Sequence, residues 1–263
     1  MNIQSIAAEL EMYSVQDTKD YNGLKEDTES AFRSIVSAMF PKHVNPKRIP
    51  IAESLKNAYE KLTAAISTVI DDNVRAEEYT AKLIAGLPEI RRVLNTDIIA
   101  AYRGDPAAKN PDEVILAYPA FTAISAYRVA HELYTMGVPL IPRVITEYAH
   151  RLTGIDIHPG AKIGEYFFID HGTGVVIGET STIGDQVKLY QHVTIGAKSF
   201  DAAPDGSLVK GIKRHPDIGN DVVIYAGATI LGGDTYIGDK CVIGGNVWLT
   251  HSVEAGSVVV NKC

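Results

Sequence analysis

The chain has 263 residues, enough for one large or two medium domains, with 46% hydrophobic and 22% charged residues, as in a globular protein. A formal net charge of -7 and a pI near 5.6 argue against a general nucleic-acid binder, whose footprint would be basic, but leave room for a local cationic site. The two cysteines, Cys241 and Cys263, form no CxxC pair. No signal peptide and no apolar run near the roughly 18 residues of a membrane span is present, so a reducing cytoplasm without membrane partners is expected.

In chain order, the first half reads as helical. Leu24 to Phe40, Ile51 to Ile70 and Tyr118 to Met136 carry apolar residues at steps of three and four, as at Leu55, Ala58, Leu62, Ala65, Ile66 and Val69. Breaks are expected at Pro41, across Pro46 to Pro50, at Gly104-Asp105-Pro106 and at Gly137-Val138-Pro139. Six to eight helices are predicted up to residue 152, and Asp105, taken alone, reads as a helix N-cap.

Near Thr153-Gly154 the period changes to six. Aliphatic residues fall at Ile157, Ile163 and Ile169, then two residues out of step at Ile177, Ile183, Leu189 and Ile195. The series resumes at Ile218, Ile224 and Ile230, and after one extra residue at Ile237, Ile243 and Leu249. Such hexads are the signature of a parallel β-helix: each is one flat side and a tight turn, and three make a coil of about 18 residues. Residues 197–213, rich in Pro, Gly, Asp and Ser, break the series and read as a loop thrown out from a corner. The predicted fold is therefore a helical unit, residues 1–153, followed by a β-helix, residues 154–263.

The register slip after Ile169 singles out His171, in Asp170-His171-Gly172-Thr173-Gly174. Asp156 lies 15 residues earlier, nearly one coil, so the two can meet on neighbouring layers of one corner. A carboxylate that fixes an imidazole's tautomer and stabilises its protonated form is what a general base for a hydroxyl needs. Arg214, in Arg214-His215-Pro216 at the close of the loop, suits carboxylate recognition. His158 and His192 read as turn or outward-facing residues. His171, His192 and His215 invite a zinc reading, but no close pair at ligand spacing supports it, and no metal is expected.

These strings resemble the serine acetyltransferases among the hexapeptide-repeat acyltransferases. The carriers are Gly104-Asp105-Pro106-Ala107, Ala126 to His131, Asp156-Ile157-His158-Pro159, Asp170 to Gly174, Val193 to Gly196 and Arg214-His215-Pro216. The resemblance implies a left-handed β-helix and acetyl transfer from acetyl-CoA to the hydroxyl of L-serine, the first step of cysteine biosynthesis from serine. It implies His171 as base with Asp156 as its partner, Asp105 and Asp170 at the serine ammonium, Arg214 at its carboxylate, and His215 touching the acceptor. Gly196, Ala226 and Gly227 would lie along the pantetheine arm. Each site is expected between two subunits of a homotrimer, with helical domains often pairing trimers into a hexamer.

Three departures stand out. Loop 197–213 is longer than the family's short Gly-rich loop. Cys241 takes a place where a CoA-proximal Lys is common. The sequence lacks the isoleucine-ended tail that docks cysteine synthase, so partner binding by that route is not expected. The competing readings are another hydroxyl acceptor, such as a sugar, a trimeric zinc β-helix lyase, and a scaffold without catalysis.

Overall fold

The computed structural model describes residues 2–12 and 19–261; Cys263 lies outside them. Among the described residues, seven helices precede fourteen short strands. They are α1 (Ile3–Met12), α2 (Leu24–Met39), α3 (Ile51–Ile70), α4 (Asn73–Gly104), α5 (Pro111–Ala117), α6 (Pro119–Thr135) and α7 (Ile141–Thr153). The expected periodic faces are the buried ones. In α2, Leu24, Ala31, Phe32 and Ile35 are buried, and in α3, Ala58, Leu62, Ala65 and Ile66. α4 starts on an Asp72 cap that accepts the Arg75 N–H at 3.0 Å and contains Pro88 within its 32 residues. No described helix is long and apolar enough to cross a membrane.

The strands form three parallel sheets, the three sides of a left-handed β-helix. Side A stacks β1 (Asp156–Ile157), β4 (Val176–Ile177), β7 (Thr194–Gly196), β10 (Thr229–Leu231) and β13 (Trp248–Leu249). Side B stacks β2 (Lys162–Ile163), β5 (Thr182–Ile183), β8 (Asp217–Ile218) and β11 (Tyr236–Ile237). Side C stacks β3 (Phe168–Ile169), β6 (Lys188–Leu189), β9 (Val223–Ile224), β12 (Val242–Ile243) and β14 (Val258–Val259). The hexad aliphatics pair with one another between rungs, as in Ile157 with Ile177 and Ile177 with Ile195, and fill the prism.

Coil length records the register slip. Asp156 pairs with Val176, twenty residues on, whereas Val176 pairs with Thr194, eighteen on. The two extra residues are absorbed at the C–A corner, where His171 (φ 60°), Gly172 (φ 90°) and Gly174 (φ 77°) are all left-handed. Other coils place one left-handed residue here, His192, Gly227 or Asn246. A non-glycine residue in this conformation costs about 1 kcal/mol, which the surrounding ladder sustains.

Helices α4 and α6 close the first coil. Its backbone groups have no coil below them and need other partners. Tyr127 Oη accepts the Ile163 N–H at 3.1 Å and donates to Ala161 O at 2.8 Å. Thr96 Oγ1 accepts the Tyr166 N–H at 3.0 Å, and Asp97 accepts the Phe167 N–H at 3.0 Å. Arg128 donates to Gly164 O at 2.7 Å while its fork holds Asp97 at 2.6 and 2.9 Å, a buried ion pair at the joint.

Candidate functional site

Two polar clusters occupy different corners of the prism. The first lies at the C–A corner. The slipped turn pushes His171 outward, leaving its side chain 70% exposed, with Nε2 3.6 Å from Asp170 Oδ1. Asp170 is buried and also meets Lys188 Nζ at 3.2 Å. Lys188 donates to Gly104 O at 2.8 Å, tying β6 to the end of α4.

Asp105 follows Gly104 directly. It is the C-cap of α4 and not the N-cap its sequence context suggested; Asn110 caps α5. Its Oδ1 accepts the Ala107 N–H at 2.8 Å, and Tyr118 donates its hydroxyl to Oδ2. The Tyr118 bond first, then the Ala107 N–H, hold the Asp105 carboxyl below the usual carboxylate range, while the same bond pushes the Tyr118 phenol up to about 12. Gly104 has no room for a side chain: a Cβ there would stand 2.9 Å from the Phe168 ring. The result is an exposed imidazole flanked by two carboxylates delivered by different elements.

Lys188 burial would lower its pKa, but Tyr190 and Asp170 outweigh it and the ammonium is held charged. Lys188 Nζ lies 4.5 Å from the Tyr190 ring centroid, and Tyr190 stacks on Tyr225 one coil on at 5.0 Å. Sequence reasoning missed Tyr118, Lys188 and this aromatic pair. A signal existed for Lys188: it precedes the core residue Leu189 and so points outward, one rung above Phe168.

Asp156 sits below the same corner, at the start of β1. Among the described residues it makes no hydrogen bond or ion pair with His171 within the chain. Its nearest cation is Arg143 of α7, with Nη1 at 3.8 Å. Glu147, His150 and Asp156 are the one described group with metal-ligand spacing, their ligand atoms within 4.8 Å of one another. Arg143 already serves both carboxylates of that group, which disfavours a cation there. His171, His192 and His215 do not converge among the described residues.

The second cluster lies at the A–B corner, where loop 197–213 leaves and re-enters. Arg214 Nη2 meets Glu179 Oε2 at 2.5 Å, and Tyr134 donates to Glu179 Oε1 at 2.9 Å. His215 is buried against Gly178, where a Cβ would come within 2.1 Å of its ring. Its Nδ1 accepts from the Thr180 N–H at 3.1 Å and faces Thr180 Oγ1 at 2.8 Å, which puts the proton of the neutral ring on Nε2. Burial, then the neighbouring Arg214, push the His215 pKa down to about 4. His158, on the same corner, is also lowered, by burial and Arg143. The loop forms a short hairpin, with Ala202 bridged to Leu208.

Within one chain the predicted site residues therefore form two groups. Asp105, Asp170 and His171 come together, with Asp156 below; Arg214 and His215 stand one corner away. Gly196 ends β7 on the A–B side, whereas Ala226 and Gly227 turn the C–A corner above His171. Gly227, at φ 75°, donates its N–H to Gln191 O at 3.0 Å, and a Cβ there would strike Asn246. A cavity of about 520 Å³ between α2, α6 and α7 lies away from both clusters.

No family model matches the chain. It is 58% identical over 184 residues to a plasmid-encoded serine acetyltransferase of Synechococcus elongatus, covering 70% of this chain but only 57% of that relative. It is 47% identical over 158 residues to the serine acetyltransferase of Helicobacter pylori, covering 86% of that protein. Its fold matches the crystal structure of Entamoeba histolytica serine acetyltransferase 1 in complex with L-cysteine, with a TM-score of 0.82 and 36% identity over 98% of this chain and 97% of that one. On this identity and coverage, the chain belongs to the serine acetyltransferase family.

Proposed function

We propose that this protein transfers the acetyl group of acetyl-CoA to the hydroxyl of L-serine, giving O-acetyl-L-serine and CoA. The observation that carries the reading is an exposed imidazole between two carboxylates at one corner, with a guanidinium presented at the next. A zwitterion carries opposite charges at a fixed separation, and a neutral sugar would need neither group.

In this reading Asp105 and Asp170 hold the serine ammonium. Asp105 has no ion-pair partner among the described residues and is the open carboxylate, while Asp170 is shared with Lys188. Arg214 takes the serine carboxylate, exchanging its contact with Glu179, and neutral His215 donates from Nε2 to the acceptor. His171, backed by Asp156, removes the hydroxyl proton as the oxygen attacks the thioester carbonyl. The tetrahedral intermediate collapses, the carbon–sulfur bond breaks, and protonated His171 returns the proton to the CoA thiolate. Backbone N–H groups near loop 197–213 stabilise the oxyanion.

The two clusters face different corners, so a complete site needs two protomers. A homotrimer, alone or paired, packs the C–A corner of one against the A–B corner of the next. Gly196 of one protomer and Ala226 and Gly227 of its neighbour then line one groove for the pantetheine arm. Residues 1–153 serve assembly and supply Asp105, residues 154–263 carry the chemistry, and a cytoplasmic location suits it.

The test is CoA thiol release from acetyl-CoA against a panel of hydroxyl acceptors. L-serine supports turnover, and Arg214→Ala raises its KM at least about tenfold. Preferred turnover of a neutral sugar, or an unchanged KM in Arg214→Ala, would overturn an amino-acid acceptor.

A further inference from the structure

Asp156 would be a solvated carboxylate on the first rung if α7 did not lie over it. α7 ends at Gly154 in the left-handed conformation (φ 69°), which returns the chain beneath its own helix and brings β1 under its last two turns. Arg143, Glu147 and His150 recur at spacings of four and three, one face of α7, and that face meets Asp156. Arg143 Nη2 is fixed on Glu147 Oε1 at 2.5 Å, and Glu147 Oε2 faces His150 Nδ1 at 3.0 Å. Arg143 Nη1, held by this relay, stands 3.8 Å from Asp156 Oδ1.

That separation is within ion-pair distance but beyond a hydrogen bond. The guanidinium therefore attracts the carboxylate without occupying its lone pairs, which stay available to an imidazole. Resting on the reading that Asp156 partners His171, we propose that Arg143, braced by Glu147 and His150, is a positioning residue that orients Asp156 toward His171 and moderates the basicity of the pair.

The sign follows from charge. His171 faces Asp170 on its own corner, with Asp105 of α4 and Lys188 of β6 beside it. Asp156 lies below on β1 under Arg143, Glu147 and His150 of α7, with His158 at the other end of β1, and the neighbour in the proposed trimer adds Arg214, Glu179 and His215. Removing the Arg143 cation leaves Asp156 and Glu147 uncompensated, so the protonated form of His171 is favoured. The acid limb of kcat/KM, which reports the free enzyme's base, then moves to higher pH.

The experiment is a cycle of wild type, Arg143→Gln, Asp156→Asn and the double variant in the full chain. It measures kcat/KM for L-serine from about pH 6 to 9, with a thermal melt of each variant. The proposal expects Arg143→Gln to lower the plateau about tenfold and raise the acid limb by about half a unit. In the Asp156→Asn background the same substitution should lower the plateau no further. Arg143→Lys, which keeps the charge and loses the fork, should leave the limb in place. An unmoved limb, or an equal loss from Arg143→Gln in both backgrounds, would overturn the positioning role alone. Wild-type rates in Asp156→Asn would overturn the Asp156–His171 pairing itself, and this role with it.

Discussion

Replacing Asp97 with alanine strikes the joint between the helices and the β-helix. Asp97 is 4% exposed and Arg128 9% exposed, and they share two hydrogen bonds of 2.6 and 2.9 Å. Asp97 also accepts the buried Phe167 N–H. Its loss strands a buried guanidinium and a backbone donor together. Breaking one side of a buried pair costs about 3–5 kcal/mol, and the orphaned N–H falls partly within that figure. At about 2–4 °C per kcal/mol for a chain of this size, the melting temperature should fall by roughly 10 °C. Asp97→Asn keeps an acceptor for Phe167 and should lose less. The double variant Asp97→Ala/Arg128→Leu should recover only part, because the Ile163 and Gly164 carbonyls then lose their donor. Thermal and urea unfolding at one fixed protein concentration reads the effect, since association also contributes. A fall below about 2 °C in Asp97→Ala would refute the view that this pair anchors the first coil.

Other consequences are equally specific. His171→Ala should lower kcat by about 10²–10⁴ with an unchanged melting temperature, because its side chain is exposed; steady-state kinetics and a melt check both halves. His215, pushed down to about 4, is lowered relative to an unfolded histidine near 6.5, so unfolded chains bind more protons as the pH falls. Its stabilising contribution is complete above about pH 6.5 and lost towards pH 4, and an NMR titration should show no His215 midpoint above pH 5. Tyr118→Phe removes the main bond holding Asp105 below its usual range, and KM for L-serine should rise about threefold to tenfold; an unchanged KM would remove Tyr118 from the acceptor site.

The β-helix was readable because its core demands one aliphatic residue per six, and glycine or a small residue at each turn, with no dependence on distant sequence. The slip at Ile169 was readable for the same reason, and it marked the one corner with two successive left-handed residues, at His171 and Gly172. α4 was less legible, since Gly86 and Pro88 interrupt a helix that tertiary packing carries through. Asp105 was misread locally because a Gly-Asp-Pro string fits a helix start as well as the C-cap it forms. Lys188, Tyr118 and Arg143 depend on which helix lies over which rung, and hexad spacing carries no such information. The separation of His171 from Arg214 by a full side of the prism follows from the order of sides A, B and C.

The central claim is that His171 of one protomer and Arg214 of another complete each site. Co-expression of His171→Ala with Arg214→Ala chains tests it directly when read at L-serine well below the wild-type KM, where each variant alone keeps at most about a tenth of wild-type activity. Random mixing in a trimer pairs an intact C–A corner with an intact A–B corner in about a quarter of the sites, so acetyl transfer to L-serine should return to about that fraction of wild type. A site built within one chain would carry one lesion at every copy, and a mixture with no recovered activity, despite confirmed mixed trimers, would contradict the account.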